Sequence, residues 1–162
     1  MEETFIFVSQ PNDLNADQQK TIKKLEKIFG FYKIKFRTIG RTDIPNISPM
    51  NAVEDLMKKC NGVLILGFPQ THIISGISKP GTINNTITDI YLPTTWNHIE
   101  MTLAFALKLP MFKICDSRIK QEGLFDRGAM EGFVHCYNLS KQDWLKDKVF
   151  LGALTQWINK VK

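Results

Sequence analysis

The sequence predicts a three-layer α/β fold, in which helices cover both faces of a five-stranded parallel sheet with the strand order 2-1-3-4-5. Three observations predict it. Short apolar runs alternate with amphipathic segments along the 162 residues, as in β-α-β units joined by right-handed crossovers. Residues 62–68, GVLILGF, are apolar throughout, which is typical of a central parallel strand. Residues 33–39 alternate basic and apolar side chains, which favours an edge strand.

Each element has a local signal of its own. The predicted strands are short β-rich runs: 4–8, 33–39, 62–68, 111–115 and 133–139. The predicted helices have apolar residues at helical spacing: 17–29, 48–59, 96–108 with Thr94 or Thr95 as N-cap, and a final stretch that starts at Ser140. Caps support two boundaries, because Gly30 follows the first helix and Ser48 with Pro49 begins the second. The insertion at residues 69–95, about 25 residues, is long for a connection and predicts either a small hairpin or a mobile lid.

The predicted strand order is the flavodoxin-like one, whose ligands lie outside the carboxyl ends of the strands at the switch point between strands one and three. Four segments of this chain converge there: the loop at Ser9, the loop at Gly40, the loop after Phe68, and the start of the helix that contains Glu100. We therefore expect a single domain, residues 1–162, with one crevice lined by these segments.

The strongest functional signal lies in residues 93–110, PTTWNHIEMTLAFALKLP. On a helical wheel Glu100 falls in the middle of an otherwise apolar face, formed by Trp96, Ile99, Leu103, Ala104, Ala106 and Leu107. A carboxylate that is buried without a partner costs several kcal/mol. Glu100 is therefore either a structural group tied to a neighbouring strand or a carboxylate that faces a site, and we adopt the second interpretation. Met101 and Phe105 fall on the outer side, which predicts that a subunit interface or the lid covers the helix.

The composition is that of a globular protein outside the membrane, with 43% hydrophobic and 23% charged residues. No apolar run reaches the ~20 residues of a membrane span, and the N-terminus has no basic region typical of a secretory signal. The three cysteines form no C-x-x-C pair and no zinc spacing with the histidines, so we expect a cytoplasmic protein without a metal.

The net charge of +5 arises from lysine runs, which either form solvated helix faces or attract a phosphate-bearing ligand. Without interleaved aromatic residues these runs do not indicate nucleic acid.

Neither G-x-x-x-x-G-K-[ST] nor G-x-G-x-x-G is present, which argues against the phosphate-loop and dinucleotide-binding folds. The chain instead resembles the bacterial TIR-like group and the related nucleoside 2-deoxyribosyltransferase and nucleotide N-hydrolase proteins. In TIR enzymes the first strand leads into a Ser and then an Asp, as in FIFVSQPND with Ser9 and Asp13. Their catalytic helix reads about [ST]-x-W-x-x-x-E, followed by small residues and a basic-x-Pro. The matching positions are Thr94, Trp96, Glu100, Ala104, Ala106, Lys108 and Pro110.

This resemblance implies cleavage of the N-glycosidic bond of NAD or another nucleotide, with Glu100 as the catalytic carboxylate. It implies no cofactor, since NAD is then a substrate, and it implies a homo-oligomer, because TIR-like enzymes commonly need neighbours to complete a site. The chain departs from the nucleotide hydrolases at Val53, where they have an Asp before the third strand; Glu54 and Asp55 lie beside it. A cationic nicotinamide leaves ribose without protonation, whereas a neutral base usually needs an acid. The departure therefore favours NAD-type substrates.

The candidate substrate-binding residues come from the predicted crevice and its surroundings: Ser9, Gln10, Asn12, Asp13, Arg41, Phe68, Trp96 and Asp126. Most have a structural alternative. The loop at Ser9 could cap the first helix, Arg41 could be solvated, Trp96 could pack in the core, and Asp126 is either a substitute acid or a turn residue. Other functions also stay open: a nucleoside 5′-monophosphate N-hydrolase or 2-deoxyribosyltransferase, and a non-catalytic module for nucleotide sensing or self-assembly.

Overall fold

The computed structural model describes residues 3–82, 85–130 and 132–162. Its strands are β1 (Thr4–Ser9), β2 (Ile34–Arg37), β3 (Gly62–Gly67), β4 (Thr71–Ser78), β5 (Asn85–Leu92), β6 (Met111–Asp116) and β7 (Val134–Tyr137). Its α-helices are α1 (Ala16–Phe31), α2 (Pro49–Met57), α3 (Thr95–Ala106) and α4 (Lys148–Val161). Short 3-10 turns lie at Gly123–Phe125 and Asp143–Lys146, and the second of these separates Ser140 from the final α-helix. Among the described helices, none combines the length and the apolar character needed to cross a membrane.

Five of the strands form one all-parallel sheet in the order β2-β1-β3-β6-β7. Counted along the parallel strands alone, this is the predicted order 2-1-3-4-5, so the flavodoxin-like fold class is confirmed. All six residues of β3 are buried at the centre of the sheet, and β2 lies at an edge, as the two sequence patterns predicted. The alternation of lysines in the β2 region suits this position, because an edge strand meets solvent along one side.

Side chains that alternate along the strands build two cores, one on each face of the sheet. Leu64 and Leu66 of β3 pack in the core with α1 and α4, whereas Val63 and Ile65 pack in the core with α2 and α3. Each helix presents an apolar stripe to its core; on α4 that stripe includes Leu154. The result is three layers, with the carboxyl ends of all five parallel strands at one edge.

The buried face of α3 differs from the one that the helical wheel predicted. It consists of Asn97, Glu100, Met101 and Ala104. Met101 is completely buried, so the prediction that it lies on the outer side is wrong, whereas Phe105 is 60% exposed as expected. The physical reason is that the wheel was centred on apolar residues and left out Asn97, which is buried by a polar contact. Ala106 is exposed as well, because the helix ends there.

The insertion at residues 69–95 contains a hairpin, one of the two forms that the sequence predicted. β4 and β5 pair antiparallel from Thr71 opposite Leu92 to Ser78 opposite Asn85, and they form a sheet of their own. Two backbone hydrogen bonds of 2.9 Å fix the base of the hairpin. Gln70 N donates to Leu92 O and closes the base, and Lys120 N donates to Tyr91 O and holds the base against the rest of the domain. The hairpin therefore projects from the carboxyl edge of the main sheet.

Candidate active site

A cavity of about 370 Å³ opens at the carboxyl edge of the sheet, beside β1. The loops after β1 and β2 form one wall, and the starts of α2 and α3 form the other. The lining residues are Phe7, Val8, Gln10, Pro11, Asn12, Asp13, Thr38, Ile39, Gly40, Pro49, Val53, Gln70, Thr94, Trp96 and Glu100. This is the crevice that the strand order predicted, because the chain leaves β1 and β3 in opposite directions at this point.

Glu100 reaches the cavity from the buried face of α3, and only 8% of the residue is exposed. Thr94 begins this helix as its N-cap, and its hydroxyl accepts a hydrogen bond of 3.2 Å from Trp96 N. Burial raises the pKa of Glu100 to about 7, and a hydrogen bond with Ser9 opposes that rise. The carboxyl group can therefore be ionised or protonated near neutral pH, depending on what occupies the cavity.

Asn97 and Ser9 form a buried polar pair beside Glu100. Asn97 Nδ2 donates a 2.7 Å hydrogen bond to Ser9 Oγ, and both residues are completely buried. Because Ser9 Oγ accepts from Asn97, its own hydrogen is free to point to the Glu100 carboxylate, which explains the lowering effect on the pKa of Glu100. Within the described chain, Asn97 Oδ1 has no hydrogen-bond partner.

Asn97 is the residue that sequence reasoning missed. Its spacing of three positions from Glu100 puts the two side chains on the same helix face, and this spacing could have identified it. A helical wheel scored by apolar residues alone treats an asparagine as solvent-facing and so does not reveal it.

The loop after β1 brings three predicted residues to the cavity: Gln10, Asn12 and Asp13. None of them caps α1. Asn15 does so, because its side chain accepts from Gln18 N while the Gln18 side chain accepts from Asn15 N, each at 3.0 Å. The loop is therefore not required for capping, and its polar side chains remain available to a ligand.

Arg41 lies next to this loop without lining the cavity. Its Nη2 donates a 2.8 Å hydrogen bond to Asn12 O and so joins the loop after β2 to the loop after β1. Gly40 precedes it in the left-handed region, with φ of +80°, where a side chain would be strained and would contact Asn12 Oδ1 at 3.5 Å. The Arg41 guanidinium consequently stands close to the Asn12 wall of the cavity.

Trp96 and Val53 lie in the cavity wall on opposite helices. Trp96 is 39% exposed and belongs to neither core cluster, so the structural alternative of a core tryptophan does not hold. Val53 lines the cavity from α2, at the position where the resemblance to the nucleotide hydrolases would place an Asp. Its neighbours do not take over that place, because Glu54 pairs with Lys58 and Asp55 lines a separate hollow near Arg37.

Two predicted residues lie away from the cavity. Phe68 is completely buried in the core with α1 and α4, and it borders a smaller hollow beside Asp116. Asp126 is exposed, and its N–H donates to Gly123 O at the end of a 3-10 turn, as the structural alternative proposed. His98 also faces away from the cavity and packs edge-on against Phe125 with 5.4 Å between the ring centroids.

No three His, Cys, Asp or Glu side chains cluster as a metal site within residues 3–82, 85–130 and 132–162.

The chain matches no protein-family model, and a comparison with curated proteins finds no match. The likeness to TIR-like and deoxyribosyltransferase-like proteins therefore rests on the residues quoted above.

Proposed function

We propose that this protein is an N-glycosidase that cleaves the ribose–base bond of NAD or a related nucleotide, with Glu100 as its carboxylate. The observation that carries the proposal is a nearly buried carboxyl group at the wall of a cavity of about 370 Å³, at the switch point of a parallel sheet. A cavity of this volume is within the range of small-molecule sites. A purely structural Glu100 would need no such opening.

The chemistry requires a negative charge beneath the anomeric carbon. As the bond from C1′ to the base nitrogen breaks, its electron pair leaves with the base and positive charge develops on the ribose. The Glu100 carboxylate stabilises this charge, or attacks C1′ to form a glycosyl ester that water then hydrolyses. Its buried surroundings strengthen either interaction, because little water screens the two charges.

The pKa of Glu100 supports a cationic substrate. With a pKa of about 7, the carboxyl group of the empty site is partly protonated at neutral pH. A positively charged nicotinamide ring in the cavity would favour the ionised form, which is the form that the reaction uses. Binding of the cationic substrate would thus itself ionise Glu100 and so produce the catalytic carboxylate.

Val53 is the second argument for NAD. A nicotinamide that is already cationic leaves as a neutral molecule and needs no proton, so an apolar residue on the α2 wall is compatible with this leaving group.

Two further side chains suit a dinucleotide. Trp96 offers a ring face for stacking at the same cavity, and Arg41 offers a positive charge for the phosphates near Asn12.

Asp13 favours a second candidate, a nucleoside 5′-monophosphate N-hydrolase or 2-deoxyribosyltransferase. It lines the same cavity as Glu100 and is the only other carboxylate among the lining residues described. If Asp13 protonates the leaving base, a neutral purine or pyrimidine becomes a suitable substrate.

The test is incubation of the wild type and Glu100→Gln with NAD and with a panel of nucleoside monophosphates, followed by HPLC of the released base. We expect free nicotinamide from NAD, and a loss of about 100-fold or more in rate for Glu100→Gln, since this is the usual effect of removing a central electrostatic group. Glu54→Gln is the matched control and should retain the wild-type rate, because this partly exposed carboxylate on α2 pairs with Lys58 and does not line the cavity.

The other outcomes separate the alternatives. A free base released from nucleoside monophosphates but not from NAD would favour the second candidate. Nucleotide binding by the wild type without any product would favour the sensing module. A Glu100→Gln variant with full turnover would contradict the assignment of Glu100.

A further inference from the structure

Two of the three cysteines become neighbours in the folded chain. Cys115 of β6 and Cys136 of β7 are direct partners in the parallel register, and their sulfur atoms lie 2.9 Å apart. Neighbouring strands are about 4.8 Å apart, which falls within the Cα separation of roughly 4.4–6.8 Å that a disulfide spans. Sequence spacing did not indicate this pair, because the two residues are 21 positions apart and only the sheet order joins them.

The two thiols have different surroundings. Cys136 is half-buried, and Gln121 Nε2 donates to its sulfur at 2.7 Å. Cys115 is completely buried, and when Cys136 is ionised the Cys115 thiol is the donor within the pair. This hydrogen bond, with the positive charge of Arg127 and the Gln121 contact, lowers the pKa of Cys136 to about 7, although burial opposes the effect. The same hydrogen bond, together with burial, raises the pKa of the Cys115 thiol.

We propose that Cys136 and Cys115 form a peroxide-reactive dithiol, in which Cys136 is the nucleophile and Cys115 is the resolving thiol. Neither residue lines the cavity of Glu100, so this inference does not depend on the proposed function. The reactive sulfur is the more accessible one with hydrogen-bond donors around it, and its partner is already within contact distance.

The reaction with hydrogen peroxide proceeds in two balanced steps. The Cys136 thiolate attacks one peroxide oxygen, the O–O bond breaks, and the other oxygen leaves as hydroxide that takes up a proton to become water. Cys136 is then a sulfenic acid. The Cys115 sulfur attacks the Cys136 sulfur, the S–O bond breaks, and the hydroxyl group leaves with the Cys115 proton as a second water. Together the two thiols have given two electrons and two protons to the peroxide, and a disulfide remains.

Cys60 is the matched control in the same chain. It is buried and lies among the side chains of the core with α2 and α3, and burial raises its pKa to about 11. We therefore expect Cys136 to react with an alkylating agent at neutral pH at least about tenfold faster than Cys60, because the thiolate is the reacting form.

The experiment treats the reduced protein with hydrogen peroxide, blocks the remaining thiols, and maps the peptides by mass spectrometry without reduction. The expected result is one intramolecular link between the peptides of Cys115 and Cys136, with loss of two hydrogen atoms, and its removal by dithiothreitol. Cys60→Ser should form the same link. Cys115→Ser should instead accumulate a sulfenic acid at Cys136, which dimedone traps.

Three results would overturn the proposal. They are oxidation of Cys60 at the rate of Cys136, a link between different molecules in place of the internal one, and conversion of wild-type Cys136 to its sulfinic acid without a link to Cys115. The peptide map of the wild type decides between these results even if a serine variant fails to fold.

Discussion

At the scale of single residues, Glu100 is held between two opposing influences. Burial on the inner face of α3 disfavours its charge, while the hydrogen bond with Ser9 favours it. Asn97 supports Ser9 from the same helix, one turn earlier, through its 2.7 Å bond to Ser9 Oγ. The site thus holds a carboxyl group whose ionisation responds to small changes in its surroundings.

This balance predicts how stability depends on pH. The pKa of Glu100 is about 7 in the folded chain and near 4.5 when unfolded, so the folded chain binds more protons between these values. The stabilisation is fully present below pH 4.5 and is lost as the pH rises through 7, a change on the order of 3 kcal/mol. We expect Glu100→Gln, which stays neutral, to melt at a higher temperature than the wild type at pH 8.

The measurement is a thermal melt of both proteins across this pH range. The two melting temperatures should approach each other at low pH. Ser9→Ala removes the hydrogen bond that lowers the pKa of Glu100. In this variant the pKa of Glu100 should be higher, so its melting temperature should continue to fall at pH values where that of the wild type has levelled off. Glu54→Gln, the control at a partly exposed carboxylate, should follow the wild type throughout. Parallel curves for the wild type and Glu100→Gln would mean that Glu100 is not the buried titrating group.

At the scale of secondary structure, α3 illustrates what a sequence pattern can and cannot predict. The wheel correctly singled out Glu100 as a carboxylate on a buried face, because burial of a lone charge is rare and therefore informative. The same wheel misplaced Met101 and passed over Asn97. Burial of Asn97 depends on Ser9, which is 88 positions away along the chain, and no local periodicity contains that contact.

The hairpin β4–β5 predicts a test at the same scale. Its strands pair with each other and not with the main sheet, so the domain should fold without most of it. We expect a variant in which residues 75–88 are replaced by Asn-Gly to keep its melting temperature within about 5 °C, because the contacts at Gln70 and Tyr91 remain. Nucleotide cleavage should persist as well, since none of the excised residues that the structure describes, 75–82 and 85–88, lines the cavity.

Gly67→Ala is the control that should lower the melting temperature, because it changes the core of the domain and not the hairpin. A Cβ at this position would lie 2.8 Å from the Phe125 ring, so this single methyl group should destabilise the domain more than removal of the hairpin strands. If excision of the hairpin unfolds the protein, the hairpin is part of the cooperative domain and not an appendage.

At the scale of the whole molecule, the strand order was predictable because few topologies satisfy parallel pairing, right-handed crossovers and one fully buried strand. The location of the crevice followed from that order. The strand order did not predict that Cys115 and Cys136 are neighbours, or that Phe68 points away from the cavity. Both depend on side-chain direction, which is set by the exact residues at which the strands end. A shift of one residue turns a side chain to the other face of the sheet.

The proposed homo-oligomer now rests on Phe105, since Met101 is part of the core. Phe105 is exposed on α3, and we expect Phe105→Glu to lower the average molecular mass in light scattering relative to the wild type, with and without nucleotide. Phe31→Glu is the matched control, because Phe31 is also exposed but belongs to α1, which packs against the opposite core. A monomeric wild type at high concentration would contradict the proposal, as would equal effects of the two substitutions.

The closed base of the hairpin also bears on the order in which the chain folds. Antiparallel hairpins form in roughly 1–10 μs, whereas the parallel pairing of β3 with β6 requires distant segments to meet. Once β4 and β5 have paired, the hydrogen bond from Gln70 N to Leu92 O brings the two ends of the insertion next to each other. The entropy of loop closure then depends on a much shorter effective chain. The insertion thus lengthens the sequence between two central strands while adding little to the kinetic barrier for joining them.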